Sequence, residues 1–413
     1  MKKIILLLLA LAMISTSAVF AAPKELSVLW FYDDPSELDF LNKKLAEYSA
    51  ANPGITYKVN TVAYNDLFTK LTQLVAGGNP PDVVKLTDIR PEFEPFVLDL
   101  STKLGKDFLK PFIPGVAAAM YRGDRMLGAP LDVTANGILL NKSLFDKAGV
   151  AIPPSDKPWT WDQFLKTASD VKAKTGVINT LVWDVTPHRW ATYLYENGGK
   201  IFDETGTKSL FNSPSTVQAF QGFSDMFKNG YIPKSIWIGP ENPRDIFFSG
   251  QAVAWMSGSW QVKAMRDNIK NFDWTAGPNP YVTTRSSVLG YKFVSAFATG
   301  KNPDIAADFI KFFTGKTSNS QYAQALMTIS ARTDTGTINY GDAKATSALN
   351  NLALELAVSP LAASSDFTNA AMGYVNPLLK ENVIDVILGK KTAQQAAKDV
   401  NDVIESALKA TAK

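Results

Sequence analysis

The stretch from Leu26 to Leu86 alternates strands and helices in an order that few folds accept. "LSVLWF" (26–31) is an unbroken apolar run, as expected of a strand covered on both faces within a parallel sheet. Ser36 then opens a helix with Asp39 three positions on, and Leu38, Leu41, Leu45 and Tyr48 follow at helical spacing. "NPG" (52–54) is a turn, after which Ile55, Tyr57 and Val59 alternate as a second strand. Leu67, Leu71, Leu74 and Val75 form the next helical stripe, closed by Gly77-Gly78 and Pro80-Pro81, and "DVVKL" (82–86) is a third strand. Such an order implies right-handed βαβ units and an α/β sheet.

The same logic extends downstream. Thr160 and Gln163 stand at reciprocal capping positions of one helix, and Thr392 and Gln395 at those of the last. Asn302-Pro303 opens another helix, with Ile305, Phe309 and Phe313 on its inner face. With 413 residues, two domains are expected, yet no repeat and no low-complexity linker separates them. Two domains without a linker imply that the chain crosses between lobes more than once.

The N-terminus has the layout of a secretory signal peptide. Lys2 and Lys3 precede an apolar run from Ile4 to Ile14, and small residues follow, with cleavage expected after Ala21. That run is too short to span a bilayer comfortably, and no later segment approaches the necessary length. The chain has no cysteine, which excludes disulfides, a thiol nucleophile and a lipid anchor on cysteine. Removing the leader takes away two lysines, leaving 40 basic against 39 acidic residues, about +1, and so no field for nucleic acid. A soluble, exported, monomeric protein is expected.

Catalytic patterns are missing. The one histidine, His188, stands in "WDVTPHRW" and reads as a loop residue. There is no G-x-S-x-G, no Walker A motif and no dinucleotide fingerprint, and neither a cofactor nor a metal is expected. Paired carboxylates for glycoside cleavage stay open, because spacing alone does not say which of them face one another.

Aromatic residues beside polar ones at the ends of expected strands are the positive feature. They are "WFYDD" (30–34), "LTD" (86–88), "PLDVTAN" (130–136), "VWDVTPHRW" (182–190), "AWMSGSW" (254–260) and "LGYKF" (289–293). In open α/β sheets ligands bind beyond the carboxyl ends of strands, so six such segments argue for one shared cleft. Flat rings cover the apolar faces of a sugar while Asp, Asn and Arg hold its hydroxyls. Taken singly, each indole is as compatible with a core as with a cleft. Trp159, Trp161 and Trp274 read as structural, and Lys292 as a strand residue that snorkels to the surface.

At these segments the sequence resembles family 1 of the bacterial extracellular solute-binding proteins, the maltose-binding-like receptors of ATP-binding-cassette sugar importers. "YNDLFTKLTQLVAGGNPPDVVKL", "GAPLDVTANGILLNKSLFDKAGVAIPP…WTWDQF", "FFSGQAVAWMSGSW" and "NPDIAADFIKFFTG" stand in the family's order and spacing. Leu140 departs from it, where a tyrosine is common before Asn-Lys. The resemblance implies a two-lobe type II periplasmic-binding-protein fold, each lobe a mainly parallel sheet flanked by helices. Residues 22–133 plus 287–332 would form the first lobe and 134–286 plus 333–413 the second, with hinges near 132–136, 286–289 and 330–333.

It also implies a periplasmic receptor that closes on a mono- or oligosaccharide and presents it to a membrane permease. Carried over by position, the expected ligand residues are Trp30, Tyr32, Asp33, Asp88, Asp132, Asn136, Trp183, Asp184, Trp190, Trp255, Gly258, Trp260, Tyr291 and Arg332. Trp255 or Trp260 is the expected stacking platform, with Gly258 admitting a solute to backbone N–H groups. Other readings are a secreted glycoside-active enzyme, or the same fold binding glycerol phosphate, a polyamine or another polyol-like solute.

Overall fold

The computed structural model describes residues 23–32, 35–90, 92–369 and 371–411, so the expected leader at 1–21 and Asp33 lie outside the described residues. In chain order its strands are β1 (Lys24–Trp30), β2 (Ile55–Thr61), β3 (Val83–Leu86), β4 (Tyr121–Arg122), β5 (Arg125–Met126), β6 (Ala129–Asn141), β7 (Asn179–Trp183), β8 (Ala252–Gly258), β9 (Trp274–Ala276), β10 (Leu289–Ala296) and β11 (Ile329–Ser330). β1 lies between β2 and β3 and runs parallel to both, in the register Lys24↔Ile55 and Val28↔Val83. Its last three residues are buried, as an apolar strand covered on both sides should be. β10 then pairs antiparallel with β3 and with β6. In the second lobe β7 and β8 are parallel, whereas β8 and β9 meet β6 antiparallel. Parallel pairing thus occupies the outer strands, and antiparallel pairing surrounds the crossing.

The crossing itself is made by β6. Its 13 residues change partners partway along: Ala129 to Ala135 pair with β10, and Asn136 to Leu140 pair with β8. The chain returns through 286–289 into β10, and β11 lies on β6 at Asp132 and Val133.

Local sequence accounts for the flanking helices. Thr160 and Gln163 form both bonds of a capping box ahead of helix Trp161–Thr175. Thr392 and Gln395 make the same exchange before helix Ala393–Thr411. Asn302 precedes helix Pro303–Thr314, with Pro303 in its first turn, and its side-chain amide donates to the carbonyl of Glu25 (2.9 Å). "VWDVTPHRW" is not the loop that the sequence suggests. Val182 and Trp183 end β7, and Thr186 caps helix Pro187–Glu196 through the backbone N–H of Arg189. His188 and Arg189 therefore occupy a helical first turn.

A buried ion pair underlies the first sheet. Lys85 and Glu37 are both shielded from solvent, and Glu37 also accepts from the indole of Trp30 (3.0 Å) and the hydroxyl of Tyr322 (3.1 Å). Lys85 donates to the carbonyl of Phe31 (3.1 Å) and sits 4.1 Å over that ring. Burial draws the pKa of Lys85 below its ordinary value, with Glu37 opposing the shift. Removing one partner leaves an uncompensated charge in the interior. Lys85→Met is expected to lose about 3–5 kcal/mol in urea unfolding of the intact chain, and adding Glu37→Gln to recover part of it.

Candidate functional site

A cavity of about 800 Å³ opens beside the crossing. From the first lobe it is lined by Phe31, Tyr64, Thr87 and Asp88, and from the crossing strands by Thr134, Leu289, Gly290, Tyr291 and Lys292. From the second lobe come His188, Arg189, Arg244, Trp260, Phe367 and Asn376. A smaller cavity of about 340 Å³ shares Arg244, Trp260, Ala264 and Lys292 with it and reaches Asp132, Glu37 and Tyr322. Together they form one cleft. A larger depression of about 1060 Å³ lies on the second lobe, away from the crossing. Polar groups there satisfy one another, as with Gln221 and Asp225 (2.8 Å) and Gln394 and Asn212 (3.1 Å).

Trp260 is the indole of this cleft. It sits in the turn Ser259–Gln261 directly after β8 and is half-buried. The guanidinium of Arg189 stacks over it at 4.0 Å. Beneath, Asp184 accepts from the indole of Trp255 (2.8 Å) and the hydroxyl of Ser257 (2.7 Å), and lies 3.8 Å from Arg189 Nε. Burial raises the carboxyl of Asp184 against the pull of Arg189. Among the described residues Arg189 Nε finds no hydrogen-bond acceptor. His188 meets Phe367 edge-on at 4.8 Å, and burial, aided by Arg189, pushes it down to about 3, so its imidazole is neutral at physiological pH.

Four of the five nominated tryptophans lie elsewhere. Trp30 packs edge-on against Phe313 (5.6 Å), Trp183 stacks on Trp161 (5.5 Å), Trp190 tilts onto Phe220 (4.5 Å) and Trp255 onto Phe247 (5.5 Å). All four are fully buried, which corrects the expectation that they face solute. Trp190 stands on a buried side of helix Pro187–Glu196, and for the other three the reason is shared. β1, β7 and β8 are covered on both sides where these rings stand, so a side chain leaving either face enters a core.

Three further expectations are corrected. Asn136 is buried and donates to the carbonyl of His188 (2.9 Å) and to Thr192 (2.9 Å). Arg332 forks onto Asp334 (2.8 and 2.9 Å) and covers Phe112, away from the cleft. Tyr32 is exposed and lines neither cavity of the cleft. Asp184 supports the wall from behind. Asp132 is buried, borders the smaller cavity and lies 3.7 Å from Lys292. Asp88, Trp260 and Tyr291 line the main cavity.

Phe31, Tyr64 and Phe367 also line it, and sequence reasoning missed them. Phe31 stood within a quoted segment. Tyr64 follows the second strand, just ahead of the helical stripe that begins at Leu67, and Phe367 belongs to a stretch without strand or helix periodicity.

Gly258 has a different role from the one expected. A Cβ there would overlap the six-membered ring of Trp260 and the carbonyl of Ala135, so the missing side chain makes room for the indole. Its backbone is extended, and the constraint is close approach alone. Gly258→Ala is expected to displace Trp260 and destabilise by about 1–3 kcal/mol, checked by near-ultraviolet circular dichroism and urea unfolding.

Two α/β lobes, a strand shared between their sheets and a ring-lined cleft at the crossing define a two-lobed binding protein. The chain belongs to the bacterial extracellular solute-binding protein family, whose model matches residues 34–319. It is 23% identical over 395 residues to the diacetylchitobiose binding protein of Streptomyces coelicolor, covering 91% of this chain and 88% of that one. It is 23% identical over 314 residues to the lactose-binding protein of Rhizobium radiobacter, 73% of each. The crystal structure of the cyclic alpha-maltosyl-1,6-maltose binding protein from Arthrobacter globiformis shares the fold, with a TM-score of 0.79 at 19% identity over 94% of this chain and 100% of that one.

Proposed function

We propose that the protein is an exported, periplasmic and monomeric receptor that closes its two lobes on a carbohydrate and presents it to the permease of an ATP-binding-cassette importer, without catalysing a reaction. The observation that carries this reading is Trp260 with Arg189 across its ring, placed on the cavity opposite Phe31 and Tyr64 of the other lobe. A sugar ring offers apolar C–H faces to such indoles and phenyl rings. Its hydroxyls suit donors such as Arg189 and acceptors such as Asp88. Rings on both lobes also give closure its driving force, because a solute that touches both stabilises the closed form more than the open one. Relatives named for saccharides support this class, among them those for lactose and diacetylchitobiose.

A thermal-shift screen with maltotetraose, lactose and diacetylchitobiose tests the class, because a bound solute raises the melting temperature by mass action. Trp260→Ala is expected to weaken calorimetric binding of the responding saccharide tenfold or more with little change in melting temperature. Trp255→Ala is expected to behave oppositely, losing about 3–5 kcal/mol of stability while the cleft-lining groups remain. Wild-type affinity in Trp260→Ala would remove that ring from the site, and release of shorter sugars on long incubation would restore the enzyme reading.

A further inference from the structure

Part of the second-lobe wall of the cavity is carried by residues 367–369 and 372–376, and its attachment is polar and buried. Asp366 begins the turn Asp366–Thr368 and is nearly inaccessible, at 3% exposure. Its Oδ2 accepts from the hydroxyl of Tyr195 (2.9 Å) and from the backbone N–H of Ile201 (2.9 Å), and the N–H of Phe202 also donates to this carboxylate. The next residue, Phe367, lies against His188 and lines the cavity, as do Asn369 and Asn376. Asn369 adds a weaker tie to the carbonyl of Gly206 (2.8 Å).

We infer that Asp366 is a positioning residue of the solute cavity, and that a proton gained there loosens the Phe367 wall and weakens solute binding. The inference rests on the reading of this cavity as the solute site. The three contacts of the carboxylate are all donors, which suits an ionised acceptor. A protonated carboxyl must turn its O–H away from them and so gives up at least one bond.

The surroundings put that event within a working pH range. Burial raises Asp366 to about 6, and it outweighs the Ile201, Tyr195 and Phe202 hydrogen bonds and the attraction of Lys200. From helix Pro187–Glu196 it faces Tyr195, whose own pKa is raised well above the ordinary value by burial and which stays a donor. The chain at 200–202 contributes Lys200, and helix Pro114–Ala119 contributes no titratable group. β10, also packed near this segment, carries Tyr291 and Lys292, and helix Met372–Ile387 brings Tyr374 in its first turn. His188, held near 3, is not the source of a transition at pH 6.

The sign for stability is opposite to that for binding. A folded-state value above the unfolded one means that this group's contribution to stability is present at low pH and is lost as pH rises through about 6. Acid therefore weakens the site without weakening the fold at this residue.

The single histidine supplies a readout that needs no solute. In tag-free protein His188 gives the single histidine Hε1 resonance, and the Phe367 ring beside it shifts that resonance when the wall moves. The expected result is a transition with a midpoint near pH 6. It should be abolished in Asp366→Asn and move to higher pH in Tyr195→Phe, which removes a donor to the ionised form. A transition that persists in Asp366→Asn, or an unmoved midpoint in Tyr195→Phe, overturns the inference. So does a wild-type resonance that is constant between pH 5 and 8.

The saccharide that responds in the thermal-shift panel should bind about tenfold more weakly at pH 5 than at pH 7, as the competent fraction falls. Asp366→Asn should bind it equally at both. Equal wild-type affinity at the two pH values would sever the wall from binding. Binding of none of the three saccharides, with the histidine transition intact, would sink the carbohydrate reading and leave the wall's response standing.

Discussion

One strand hydrogen-bonded into two sheets is the constraint on which the rest depends. β6 cannot slip in one lobe without breaking its register in the other, so the relative placement of the lobes is tied to its length. The handover at Ala135 and Asn136 would leave backbone groups unpaired where one ladder ends and the next begins, and side chains fill the gap. Ser259 accepts from the N–H of Ala135 (3.1 Å), and Ser287 donates to the carbonyl of Asn136 (2.8 Å). Asn279 accepts from Ile138 (3.0 Å) and donates to Ser286 (2.7 Å). Hydroxyls and amides at such a joint keep the polar groups satisfied where regular pairing stops.

Placing these brackets at the crossing explains both the readable and the unreadable parts of the sequence. The α/β order of the first lobe was legible because apolar runs and helical stripes each carry their own period. The capping residues Thr160 and Thr392 were legible because capping is local. Asn136 was legible as an important polar residue at the first crossing but not as a bracket, because its partners His188 and Thr192 lie far along the chain.

The tryptophans show the limit more sharply. Each of three indoles donates to a buried or half-buried carboxylate: Trp30 to Glu37, Trp161 to Glu196 and Trp255 to Asp184. A buried indole is stabilised by an acceptor for its N–H, and in these three a carboxylate serves. Rings and acids therefore imitate the composition of a sugar site while meeting the demand of a core. Asp184 stands one residue after Trp183 yet serves Trp255 from another strand, a pairing that no spacing rule reveals. Trp260 differs because it follows the end of β8, where Gly258 leaves room for the ring to lie over the strand end and reach the cavity.

Several charges of the cleft that results are answered within the protein. Lys292 lies near Asp132, Arg189 near Asp184 and Lys263 near Asp267, each pair across or beside the cavity walls. Such pairs lower the field that a solute meets, which suits a neutral polyhydroxylated molecule, and Arg244 and Asp88 add hydrogen-bonding groups from the two lobes. Specificity then falls to shape and to the direction of a few donors and acceptors, and the segment carrying Phe367, anchored from behind by a single carboxylate, is the part of the wall whose position is least fixed by strand pairing.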